Sequence, residues 1–380
     1  MQLSSFTFHP DHGWSVAQFP ALDSEQTLVM VYGAPEYRDQ PAPIEALLQA
    51  YPHSIVVGCS SAGEISGGQV HDASLSVSVA RFEHTQLAVA TRAISKADSA
   101  AAGEYLAQQL QQAPHADLCS VLILSEGMDV NGSALTQGIN AVLPTGVVVS
   151  GGLAGDGKRF ERTWTLCNGL PQPGQAVAIG FYGRRLRTRF GSSGGWDVFG
   201  PVRHITRAEG NILFELDGKP ALALYKEYLG AYAADLPSSG LFFPLTIWNP
   251  NTDGRKVMRC LAAIDEETQS ITFSGDVPQG YSAHLSKANF DNLVSAVSEI
   301  GALADPQRGA QPVLALAISC VGRRLMMGER TDDELSITLR NLPAHSQQVG
   351  FYSYGEIGPF PHQTCTLYNQ TLTLTTFCEE

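Results

Sequence analysis

Ser61-Ala62-Gly63-Glu64, Leu153-Ala154-Gly155-Asp156 and Ser353-Tyr354-Gly355-Glu356 are three versions of one turn. Each follows a short apolar run: Ile55 to Gly58, Val147 to Ser150, and Val349 to Tyr352. Each is followed by strand-like sequence, such as Leu75-Ser76-Val77-Ser78-Val79 or Leu372-Thr373-Leu374. Short apolar runs bounded by glycine predict strands. Glycine at the turn permits a positive φ or a close backbone approach. A motif recurring in this way predicts internal repeats.

Working outward from the last two turns, the likeness widens. Residues 87–183 and 281–377 both read strand, helix, strand, helix, strand, glycine turn, hairpin over 97 residues. Ala93-Ile94-Ser95-Lys96-Ala97 and His284-Leu285-Ser286-Lys287-Ala288 enter their first helices, and Thr165-Leu166-Cys167-Asn168 parallels Thr366-Leu367-Tyr368-Asn369. Ser120 to Leu124 and Val313 to Ser319 are the central strands. Apolar spacing predicts helices over Ala101 to Leu110, from Phe290 through Val297, and over Glu334 to Leu342, where Glu334 is spaced to pair with Arg330. Alternating helices and strands with added hairpins predict an α/β fold with α+β features: two related lobes of mixed sheet. The boundary falls near Asp217-Gly218-Lys219-Pro220, giving domains 1–218 and 219–380.

Composition narrows the function classes. The chain has 380 residues, 44% hydrophobic and 16% charged, which suits two packed cores rather than disorder. A net charge of −13 argues against nucleic acid or an anionic membrane surface as partner. Seven scattered cysteines without a CxxC pair predict free thiols, and no membrane-spanning run or secretory leader is read, so a cytoplasmic location is expected.

No P-loop, HExxH or strand-borne GxGxxG occurs, and an enzyme is not expected. Ser60 and Ser61, beside Cys59, could offer hydroxyls and backbone N–H groups to a ligand. Glu64, Asp156 and Glu356 hold equivalent places, either capping backbone N–H groups or jointly binding an ammonium group. Arg185, Arg187 and Arg189 alternate along one strand face, and Arg323-Arg324 follows a central strand as a candidate carboxylate site. Ten histidines are spread without a zinc spacing, and His9 and His12 fall in a stretch read as a mobile N-terminal segment.

The ordered motifs resemble the FIST-domain family. They are Gly58-Cys59-Ser60-Ser61-Ala62-Gly63-Glu64-Ile65, Gly151-Gly152-Leu153-Ala154-Gly155-Asp156, Gly195-Trp196-Asp197-Val198-Phe199-Gly200-Pro201 and Glu215-Leu216-Asp217-Gly218-Lys219-Pro220-Ala221. Cys320-Val321-Gly322-Arg323-Arg324, Gly350-Phe351-Tyr352-Ser353-Tyr354-Gly355-Glu356-Ile357 and Asn369-Gln370-Thr371-Leu372-Thr373-Leu374 complete them. The resemblance implies a bacterial sensory module for a small-molecule or gaseous ligand. It implies a separate histidine kinase or cyclic-di-GMP enzyme as partner, and a homodimer is compatible with it. A stand-alone group of the family senses nitric oxide through haem, which makes haem the implied cofactor. A histidine is expected directly before Asn369, where this chain has Tyr368, so Tyr368 is the implied metal ligand and His362 the nearest imidazole. A haem-free sensor of an amino acid or other metabolite is the alternative.

Overall fold

The computed structural model describes residues 1–252, 255–301, 311–360 and 363–380. Its framework is three copies of one unit rather than two. In each, two parallel strands lie side by side: Thr27–Gly33 with Ile55–Ser60, Leu118–Ser125 with Val148–Leu153, and Leu314–Cys320 with Gln347–Ser353. An antiparallel strand covers the other side of the central strand: Leu75–Arg81, Gln175–Tyr182 or Leu372–Glu379. A fourth strand follows outside it: Gln2–His9, Gln86–Ala93 or Leu186–Ser193. The stretch holding His9 is therefore sheet rather than a loose tail.

The third unit corrects the boundaries of the duplication. Its outer strand is Leu186–Ser193, not the strand Ser282–Lys287 that the sequence aligns with the start of the second copy. Ser282–Lys287 instead pairs with Asp197–Glu209 and Leu245–Trp248 inside an eight-stranded sheet. That sheet, spanning 197–287, is inserted between the outer strand of the third unit and its first helix. Apolar residues at both sites disguise the difference, because an alternating strand does not announce which sheet it joins.

The glycine turns are where the chain changes unit. After the first turn, Glu64–Ser66 pairs with Gln347–Ser353 of the third unit. After the second, Thr165–Cys167 pairs with Ile55–Ser60 of the first, and after the third, Gly355–Phe360 pairs with Val148–Leu153 of the second. Each unit thus hands its hairpin to the next around a ring, so no unit keeps an open sheet edge at that side. The turns are stitched in the same sense. The N–H of Ala62 donates to the Tyr352 carbonyl, Gly155 to Ser60, and Tyr354 to Leu153. Glycine is required in the strands leading in: a Cβ on Gly58 would sit 2.0 Å from the Val31 carbonyl oxygen, and one on Gly350 1.7 Å from that of Ala317.

One core fills the centre of the ring, with Met30, Tyr32, Val57, Leu122, Leu124, Ile179, Leu316, Ile318 and Phe351 drawn from all three sheets. The helices cover the outer faces. Ser99–Gln111 and Gly132–Val142 cover the second unit, and Thr331–Arg340 the third. These match the helices expected near 101–110 and 334–342. The pairing expected of Glu334 does not form: Arg330 bonds Asp291 and Asp333, while Glu334 turns inward to Arg323. No helix among the described residues is long and apolar enough to cross a membrane.

Candidate functional site

The three acidic turn residues are buried side chains with internal partners. The Ser61 hydroxyl donates to one Glu64 carboxyl oxygen, and the Ser74 N–H and hydroxyl meet the other at 3.1 and 2.8 Å. Glu356 repeats this with Ser353 at 2.7 Å and with the N–H and hydroxyl of Thr371 at 3.2 and 2.7 Å. Burial pushes Glu64 up to about 7 and Glu356 up to about 8, against the lowering effect of these bonds. They hold the turns rather than face one another across a ligand. Ser60 likewise accepts the Trp164 N–H at 3.0 Å.

Asp156 holds a loop. Its carboxylate accepts the N–H groups of Phe160, Glu161 and Arg162 at 2.8–2.9 Å, and the Tyr354 hydroxyl. Burial opposes its ionisation. The Arg162 N–H, the Tyr354 hydroxyl and the other two N–H groups nevertheless keep its pKa below the usual carboxylate value. The result is a loop over 157–163 that carries Lys158 and Phe160. Asp156→Ala is expected to cost about 3 kcal/mol, since several charge-assisted bonds vanish together. Hydrogen exchange at Phe160, Glu161 and Arg162 should rise with it, and unchanged exchange would refute this latch.

Arg323 is not a free ligand-binding group. It is fully buried and its three nitrogens are used. Nε and Nη2 meet Glu334 at 3.1 and 2.8 Å, Nη1 meets the Gly194 carbonyl at 2.7 Å, and Nη2 also meets that of Leu293 at 3.1 Å. Arg324 bridges lobes instead, pairing with Asp72 at 2.6 and 2.9 Å and bonding the Ala62 carbonyl at 2.5 Å. With Lys158 and Arg159 it borders an open groove of about 570 Å³.

A larger cleft of about 800 Å³ adjoins this groove, sharing Lys158, Val321 and Leu325 with it. Its walls come from the second unit (Met128, Val130, Leu153), the Asp156-held loop (Phe160), the inserted sheet (Leu261, Phe273) and the third unit (Cys320, Tyr354). Phe160 stacks on Tyr354 at 4.6 Å and 14°. Lys96 and Lys158 stand at its rim, both exposed, and neither forms an ion pair among the described residues. Asn369 lies at its floor, 1% exposed, with neither amide atom hydrogen-bonded to protein. Asn168, which the sequence aligns with it, follows the first strand of its hairpin rather than the second, and accepts the Val56 N–H at 2.8 Å. The orphaned amide of Asn369 is a mark of function, because an unpaired buried amide is costly.

Asn369 stands directly after Tyr368, the residue the family resemblance implies as metal ligand. Tyr368 packs among Phe190 and Phe360, opposite Glu356 in the hairpin, and its hydroxyl donates to the Pro359 carbonyl at 2.7 Å. Burial pushes its phenol up to about 12, which opposes the tyrosinate needed to bind iron. The Tyr368 hydroxyl is thus taken up by the Pro359 carbonyl, and His362 lies outside the described residues. Of the two cysteines on the cleft, burial pushes Cys260 up to about 11 and Cys320 well above a normal thiol. Among the described residues no group of three or more His, Cys, Asp or Glu side chains is placed to hold a metal ion.

Comparison with known proteins matches residues 27–219 to the FIST N domain and 221–359 to the FIST C domain. An uncharacterised protein of Methanocaldococcus jannaschii is 23% identical over 256 residues, covering 61% of this chain and 47% of that protein. The chain thus spans about half the length of that relative. A crystal structure of chorismatase aligns with 99% of this chain and 98% of its own at 9% identity, with a TM-score of 0.36.

Proposed function

The chain belongs to the FIST family, whose domains are sensors of signal transduction, and on that premise we propose that it senses a small molecule bound in the 800 Å³ cleft. The observation that carries this reading is the cleft itself: mostly apolar walls, few polar groups, and a buried amide left without a protein partner. The cleft joins the second unit, the third unit and the inserted sheet, so a ligand there touches both lobes. A molecule that bridges elements shifts their relative arrangement only through its preference for one arrangement, and this site is placed to express such a preference. In this reading the bound state is passed to a histidine kinase or a cyclic-di-GMP enzyme, the partners that the family resemblance implies. Haem and nitric oxide receive no support from Tyr368, whose hydroxyl is bonded to the Pro359 carbonyl.

Native mass spectrometry after incubation with a small-molecule extract tests the cleft. One molecule per chain is expected on the wild type and none on Ala262→Trp, which places an indole on the cleft wall. A chain that retains no small molecule, or an Ala262→Trp variant that binds as the wild type does, would remove the reading.

A further inference from the structure

The orphaned amide says what kind of molecule the cleft takes. A carboxamide offers one acceptor and a two-proton donor in one plane. A carboxylate satisfies only the donor half and leaves the Asn369 oxygen facing like charge. A hydroxyl engages one atom at a time. A group with N–H beside C=O, as in a lactam or cyclic imide, satisfies both atoms at once, as asparagine does with a base edge.

Two further features restrict the rest of the molecule. Phe160 is 51% exposed although it stacks on Tyr354, so one ring face is left for a flat partner at the mouth. Among the described residues Lys96 and Lys158 form no ion pair, on a chain of net charge −13, and both line the same cleft. In so acidic a protein they mark where an anion is accepted. We infer that the ligand is a small planar heterocycle that presents a lactam edge to Asn369 and a carboxylate or phosphate to Lys96 and Lys158. This rests on the cleft being the sensing site. The Asp156-held loop is then the positioning element, because it carries both Lys158 and Phe160 to the rim.

The test is calorimetric titration of the full chain with three probes: orotate, uridine 5′-monophosphate and inosine 5′-monophosphate. Three controls each lack one feature: benzoate has no lactam edge, uracil no anion, and 1,3-dimethylorotate no ring N–H. At least one probe is expected to bind, with each control about tenfold or more weaker. Asn369→Leu should weaken binding by about 10–100-fold. Lys96→Ala with Lys158→Ala should weaken it about tenfold and flatten its salt dependence. The ligand-free melting temperature of Asn369→Leu should equal or exceed that of the wild type, since leucine removes an unsatisfied buried group. Absence of binding by all three probes would overturn the proposal. So would equal binding of benzoate, an affinity indifferent to Asn369→Leu, or a ligand-free melting temperature several degrees lower. Extract binding abolished by Ala262→Trp would stand through any of these results, so the two readings fail separately.

Discussion

Arg323→Met is expected to destabilise the chain by roughly 3–5 kcal/mol. Methionine keeps much of the volume but leaves Glu334 as a buried charge without its partner. Glu334 would retain only the Ser319 and Tyr352 hydroxyls, at 2.9 and 2.8 Å. The carbonyls of Gly194 and Leu293 would lose their donors too. A domain holds about 5–15 kcal/mol in total, so the variant should unfold at a much lower urea concentration or accumulate poorly. Arg323→Met combined with Glu334→Leu should recover a large part of the loss, because replacing both charges removes the unpaired ion. Equal midpoints for wild type and Arg323→Met would show that this pair does not hold the third unit together.

The second large effect is a dependence of stability on pH set by Glu64 and Glu356. Their folded-state pKa values, about 7 and about 8, lie above the ordinary 4.5 because burial disfavours the carboxylate. The folded chain therefore binds more protons than the unfolded chain between these values, and stability falls as pH rises. The contribution is complete below about pH 4.5 and is lost as pH passes through 7 and 8. Its size is on the order of a few kcal/mol per residue. His284, which burial holds below 6.5, acts in the opposite direction, so the wild-type profile alone mixes the two. Asp156 and Glu379, held below the usual carboxylate values, lose their contributions only at more acidic pH. Glu64→Gln with Glu356→Gln isolates the effect. The variant should lose less stability than the wild type between pH 5 and pH 8.5 in urea titrations. Parallel profiles would show that both carboxyls stay ionised when buried.

The repeats were legible in the sequence because their determinants are local. A short apolar strand, a glycine and an acidic residue recur in three places, and no distant partner is needed to see them. The helices and the mixed α/β class followed from periodicity, and the FIST motifs followed from order along the chain. Partner choice was not legible. Glu334 stands four residues after Arg330, which caps its helix, yet it pairs with Arg323 on the preceding helix, because its side chain points into the core. The outer strand of the third unit is Leu186–Ser193 rather than Ser282–Lys287, which the alignment places there, because sheet membership is decided by tertiary pairing rather than by the strand's own residues.

The glycine turns themselves, with which the sequence begins to make sense, were determined by the residues alone: each needs its glycine-bearing approach and its acidic cap. Only the tertiary structure decided that the hairpins leaving them pass cyclically to neighbouring units, and that their carboxyls face inward to hydroxyls and N–H groups rather than outward to a ligand. The same holds for the cleft. The sequence aligns Asn168 with Asn369, and no local signal shows that they follow different strands of their hairpins. Once folded, the first finds the Val56 N–H and the second finds no protein partner beside the cleft between two units and an inserted sheet. A vacancy of that kind belongs to the packing of distant segments, so it becomes visible only when the chain is folded.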